Sequence, residues 1–213
     1  MHPKPKSSQF SISLSILAVG LVVIIGTLLL LNTLFPKKAD AIVTDPNSLP
    51  GIETGDAPWS PEITDLRARL KDIGLPALPS EGTVLHIHQH LDLSIDGTPV
   101  SIPADIGDAE AQGFIAPVHT HDTSGIIHVE SDTVRAFTLG EFFDIWGVRF
   151  TASCIGGYCA DATHTLTVYA NGTPVAGDPR DLVLKAREEI AVVYGSASST
   201  PAVPSTYAFA PGY

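Results

Sequence analysis

From Thr83 the chain alternates apolar and polar residues at every second position. Leu85, Ile87, Leu91, Leu93 and Ile95 fall on one side, and His86, His88, His90, Asp92 and Ser94 on the other. Gln89 is the one polar residue in the apolar set. A repeat of two belongs to a strand with one face buried. Asp96-Gly97 follows at once, a pair suited to the positive φ angles of a tight hairpin turn, and "TPVSIPADIG" continues beyond it. "IAPVHTHDTSGIIHVES" predicts a second hairpin with "DTSG" at its turn. "VRFTA", "TLTVYA" and "EIAVVYG" supply further strands, and Asn171-Gly172 a further turn.

Helical signals occur twice. In "SPEITDLRARLKDIG", Ser60 suits the N-cap, Pro61 the first turn and Gly74 the stop, while Ile63, Leu66, Leu70 and Ile73 share a face. In "FTLGEFFDIWG", Thr138 and Glu141 stand at capping-box spacing ahead of an aromatic run that ends at Gly147. Phe142, Phe143, Trp146 and Phe150 read as core. With no internal repeat of fixed period, the predicted fold is mainly β (α+β). One compact β-rich domain spans residues 60–195 and carries one or two short helices.

The chain ahead of this domain has a different character. Residues 10–35 carry no charge. Roughly 20 apolar residues cross a bilayer as a helix, whereas the apolar stretch of a cleavable leader is about 7–15 long. A short basic N-terminus (1–9), a transmembrane anchor (10–35) and a linker (36–59) with Pro46, Pro50 and Pro58 are therefore expected. Residues 196–213, rich in Ser, Ala and Pro, are expected to form a flexible tail. Ala39-Asp40-Ala41 has the small residues of a cleavage site but follows Lys37-Lys38, a poor context. Two lysines on each side of the apolar run leave its orientation open. The two cysteines narrow the choice. Cys154 and Cys159 enclose "IGGY", whose glycines permit tight closure, and predict a disulfide formed in an oxidising compartment. The expectation is a single-pass protein of the cell membrane with its C-terminal domain extracytoplasmic.

Charge excludes one class of partner. All 23 acidic residues lie after Ala39, against eight of the 12 basic ones. Such a surface repels phosphate backbones, so no nucleic-acid partner is expected.

Six of the eight histidines fall between His86 and His128. Residues i and i+2 of a strand lie about 6.6–7 Å apart on one face, so two imidazoles at that spacing can converge on one ion. His86 and His90 are twice as far apart, which implies either one chelating pair with a supporting histidine or two metals. His119 and His121 form another such pair, and His128 with Glu130 a third. Imidazole with an occasional carboxylate is the donor set of zinc, copper(II), nickel or non-haem iron. The expected ligands are His86, His88, His90, His119, His121 and His128. Glu130 is read as either a ligand or an outer group, and Asp92 and Asp122 as outer acceptors for ring N–H groups. His164 and His2 fall outside this set. Ser124-Gly125 lacks the strand–elbow–helix setting of a nucleophilic serine.

"HIHQHLDLSIDGTPVSIPADIG", "HTHDTSGIIHVES", "FTLGEFFDIWGVRF" and "VYANGTPVAGDPRDLVLKAREEIAVVYG" resemble an uncharacterised family of single-span exported proteins of bacteria and archaea. The resemblance covers residues 84–195. It implies one extracytoplasmic domain with a histidine-rich site, and no mechanism.

Three functions follow as alternatives. The first is a membrane-anchored binder of copper(II) or zinc, with copper slightly preferred because it heads the affinity order at imidazole sites. The second is a hydrolytic or oxidative metalloenzyme with three histidine ligands and an open coordination position. The third is a metal-free histidine cluster that senses pH.

Overall fold

The computed structural model describes residues 45–199 and 202–213. The charge-free run at 10–35, expected to anchor the chain in a membrane, lies outside them, as does His2. Among the described residues no helix is long and apolar enough to cross a membrane.

Among the described residues, eleven strands and two α-helices make up the domain. The strands are β1 (Leu85–Ile95), β2 (Thr98–Pro99), β3 (Asp108–Ala109), β4 (Phe114–Ile115), β5 (Val118–His119) and β6 (Ile126–Ser131). They continue with β7 (Cys154–Ile155), β8 (Tyr158–Cys159), β9 (His164–Ala170), β10 (Thr173–Pro174) and β11 (Glu189–Ser196). Helix α1 is Leu66–Asp72 and α2 is Leu139–Trp146. The main sheet runs β10-β9-β11-β1-β6-β5, with β2 also on β1. β1 pairs parallel with β11, and its other pairings are antiparallel. The mainly-β expectation holds.

The predicted alternation sets the two faces of this sheet. Leu91, Leu93, Ile127, Val129, Ile190 and Val192 join Leu139, Phe142, Phe143 and Trp146 of α2 in one core. Burying such a side chain is worth ~1.5–3 kcal/mol. Gln89 is fully buried on this face and donates from Nε2 to the Ile127 carbonyl at 2.9 Å. Both predicted turns adopt the left-handed angles they were read for: Asp96 and Gly97 have φ 49° and 78°, Asn171 and Gly172 49° and 76°. Helix α2 begins with the expected capping box. Thr138 Oγ1 accepts the Glu141 N–H at 3.3 Å, and Glu141 Oε2 accepts the Thr138 N–H at 3.0 Å. Cys154 and Cys159 form the predicted disulfide.

Three sequence expectations are corrected. First, α1 starts at Leu66 with Asp65 at its N-cap, rather than after Ser60. Glu62 accepts the Thr64 and Asp65 N–H groups at 2.8 and 3.1 Å and also binds the buried Arg69 guanidinium, which holds residues 62–65 out of the helix. Ile63 is consequently exposed and shares no buried face with Leu66 and Leu70. Second, the linker expected at 36–59 is part of the domain from Asp45 onward. Glu53 pairs with Gly147 and Arg149 through backbone hydrogen bonds of 2.7 and 3.0 Å. Trp59 is buried edge-on against Trp146 and Tyr158. Third, the expected flexible tail returns to the sheet. Tyr207 and Tyr213 rest on its histidine-bearing face, because an imidazole row offers aromatic rings flat apolar area to pack on.

Candidate metal centre

Strand register assembles the site. β5, β6 and β1 are neighbours in the order β5-β6-β1, with His119 opposite His128 and His128 opposite His88. Glu130 stands opposite His86. Directly opposed residues bring their Cβ atoms to within about 4.5–5.5 Å, so three imidazoles form one row across three strands. The His88 and His128 rings are 4.5 Å apart, and His119 and His128 are 5.5 Å apart. His121, just past the end of β5, swings its ring to 4.4 Å from His128.

The nitrogens converge more tightly than the rings. His86 Nε2 is 3.0 Å from His88 Nε2, and His119 Nε2 is 3.2 Å from His121 Nε2. Glu130 Oε1 lies 3.1 Å from His86 Nε2 and 3.2 Å from His128 Nδ1. Glu81 Oε1 lies 3.3 Å from His121 Nε2. A neutral imidazole has a single N–H, so His86 Nε2 cannot satisfy both His88 and Glu130, nor His121 Nε2 both His119 and Glu81. A shared cation can. Nitrogens bound tetrahedrally at ~2.0–2.1 Å would lie about 3.3–3.4 Å apart, close to the separations seen here. Two sets of four donors each fall within 4.8 Å of one another: His86, His88, His128 and Glu130, and His119, His121, His128 and Glu130. His128 and Glu130 belong to both.

One ring shows how its neighbours aim it. His119 is fully buried, and its Nδ1–H donates to the Ala116 carbonyl at 3.0 Å. A carbonyl only accepts, so the proton sits on Nδ1 and the Nε2 lone pair is presented to His121 and the cluster. That is the arrangement that orients and strengthens a histidine ligand.

Burial and mutual repulsion favour the neutral form of His88, His119 and His128. Burial, with the charge His121 would carry close by, lowers His119 to about 4. Burial and four neighbouring imidazoles lower His128 to about 3. His88 is lowered by burial and by His86 and His121. Glu130 is raised, by burial first and the nearby Glu81 second. Unprotonated imidazole is the form that binds metal. His86 and His121, with side chains 54% and 40% exposed, form the open edge of the cluster.

The structure thus brings His86, His88, His119, His121, His128 and Glu130 together and sets His90 apart. His90 Nδ1 faces Glu189 Oε2 at 2.9 Å, and Asp92 Oδ2 is 3.9 Å away. Asp92 is accordingly a neighbour of His90 and not of the row. Asp122 accepts the Ser124 N–H at 2.8 Å and so shapes the hairpin turn, in place of the expected hydrogen bond to a histidine. His164 stacks on Tyr194 away from the cluster, as expected. Glu81, Glu189, Tyr207 and Tyr213 were missed. Glu189 directly neighbours His90 across the parallel β1–β11 pair, an adjacency between residues 99 apart that local periodicity does not carry. Tyr213 lies 4.8 Å from His88 and 6.0 Å from His128, its carbonyl accepting from Arg187. No family model matches the chain, and no curated protein or solved structure matches it either.

Proposed function

We propose that this chain is a membrane-anchored, extracytoplasmic protein that binds a transition metal, copper(II) or zinc, at the His86–His88–His119–His121–His128–Glu130 cluster. The observation that carries this reading is the pair of four-donor sets that share His128 and Glu130. Five imidazoles and one carboxylate suit copper(II) and zinc, and copper binds such donors more tightly. The disulfide supports an oxidising compartment. The charge-free run at 10–35 supports attachment to a membrane.

Holding a metal is favoured over turning over a substrate, because the Tyr213 ring packs 4.8 Å from His88 and 6.0 Å from His128 and so covers part of the cluster. The pH-sensing alternative loses support at the most buried rings of the row. At His119 and His128, burial and the neighbouring imidazoles lower the rings to about 4 and about 3, below the range around 6 in which an ordinary histidine responds.

The test is elemental analysis of the full chain, purified in mild detergent without added metal, beside His88→Ala and His119→Ala. The expected result is copper or zinc in the unaltered chain and less in both variants. Unchanged metal content in both variants would mean that the two motifs do not build one site.

A further inference from the structure

We infer that His90, Asp92 and Glu189 form a second cation site, separate from the histidine row and suited to a divalent ion that accepts carboxylate oxygens. Their donor atoms lie within 4.8 Å of one another. His90 and Glu189 are register neighbours on β1 and β11, and Asp92 follows His90 by two residues on the same face.

Three observations point to an ion there. The first is the tautomer of His90. Its Nε2–H donates to the Ser124 carbonyl at 2.9 Å, which leaves Nδ1 with a lone pair in the neutral ring. That lone pair is aimed at Glu189 Oε2, only 2.9 Å away. Two electron-rich atoms at this distance need either a proton or a cation, and a metal at ~2.1 Å from each at a right angle would hold them about 3 Å apart. The second is Glu189 itself. It is 1% exposed, and its other oxygen, Oε1, has no hydrogen-bond partner. A buried carboxylate oxygen left unsatisfied is rare and calls for an unseen partner. The third is charge. Asp92 and Glu189 place two carboxylates against one imidazole, and a divalent ion neutralises that pair.

The surroundings support the same reading. The Tyr207 ring stacks on His90 at 3.8 Å with a 10° tilt and shields it from water. The Asp122–Gly125 turn closes over its other nitrogen: a Cβ added at Gly125 would lie 2.9 Å from His90 Nε2. One imidazole with two carboxylates is a harder donor set than the histidine row and selects ions such as Mn2+ that the row would hold poorly.

The test titrates the full chain, in mild detergent and stripped by chelator, with Mn2+ alone, reading free and bound ion by electron paramagnetic resonance. The expected result is one Mn2+ per chain with a single coupled imidazole nitrogen. Asp92→Asn, at a half-exposed position that tolerates change, should weaken binding tenfold or more, on the order of the loss typical when a metal site is deprived of one supporting group. Glu189→Gln should abolish it, and His119→Ala should leave it unchanged. The inference is overturned if the unaltered chain retains no Mn2+, if Asp92→Asn binds within about threefold of it, or if His119→Ala removes the ion. The copper or zinc of the histidine row should respond oppositely, lost in His119→Ala and kept in Asp92→Asn, so either site can fail without the other.

Discussion

Burial of His119 makes the stability of the fold depend on pH by a calculable amount. The ring is fully buried and lowered from 6.5 to about 4, by burial first and the neighbouring His121 second. In the unfolded chain the same ring titrates normally. A histidine depressed in the folded state contributes stability above pH 6.5 and loses it as pH falls toward 4. At pH 5 the unfolded ring is about 97% protonated and the folded one about 10%, which costs the fold about 2 kcal/mol relative to pH 7.5. His128, lowered to about 3, acts with the same sign. His90, which burial alone would lower, is instead raised by Glu189 and Asp92, and so gains the fold stability as pH falls. Glu130 and Glu189, raised by burial, also work in that direction. The total curve therefore mixes signs, and the difference between the unaltered chain and His119→Gln cancels the distant groups and leaves chiefly the contribution of this ring. Urea unfolding of both in chelator, followed by the fluorescence of Trp59 and Trp146, supplies that difference at pH 7.5 and pH 5. The stability gap between the two should shrink by about 2 kcal/mol. A gap constant to within ~0.5 kcal/mol would show that His119 protonates freely in the fold and would refute the burial argument.

Other outcomes follow from the same geometry. His128→Ala removes a donor from both sets of four. A structural zinc site of four ligands is worth ~10–16 kcal/mol, about 3 kcal/mol per ligand, so zinc binding by competition titration should weaken by roughly 100-fold. His121→Ala touches one set only and should weaken zinc less. Gly125 holds φ at 83°, and an added Cβ would lie 2.7 Å from the Leu91 carbonyl as well as against His90. Gly125→Ala should thus cost about 1–3 kcal/mol in the same urea experiment. Replacing both Cys154 and Cys159 by alanine opens a six-residue loop, for which chain entropy gives a loss of about 2 kcal/mol. Reductant should then have no further effect on the variant.

The elements that local chemistry specifies were legible in the chain. Alternation in 85–95 set the strand and its two faces. Asp96-Gly97 and Asn171-Gly172 set the turns, Thr138 and Glu141 the start of α2, and the "IGGY" spacing the disulfide. The histidine pairs were equally legible, because i and i+2 share a face whatever the strand pairs with. Their meeting was expected from the hairpin reading, and the register of β1 on β6 supplies it. What stayed hidden depends on contacts between distant segments. Nothing local to Glu189 says that it will neighbour His90, and nothing local to Glu81 says that it will reach His121. Residues 45–59 have the proline content of a tether, yet the backbone pairing of Glu53 with Gly147 and Arg149 and the buried Leu49 and Trp59 hold them on the domain. Tyr207 and Tyr213 sit in a stretch whose composition suggests looseness, and the imidazole face they cover, with the Arg187 guanidinium on the Tyr213 carbonyl, accounts for their order.

X-ray absorption of the copper- or zinc-loaded full chain counts the rings around the ion. A metal held by the histidine row should show a shell of nitrogen and oxygen at ~2.0–2.1 Å with outer scattering from at least two imidazoles, and fewer rings or no bound ion in His128→Ala. A shell of water and carboxylate oxygen without imidazole scattering, or a spectrum unaltered by that substitution, would contradict binding there.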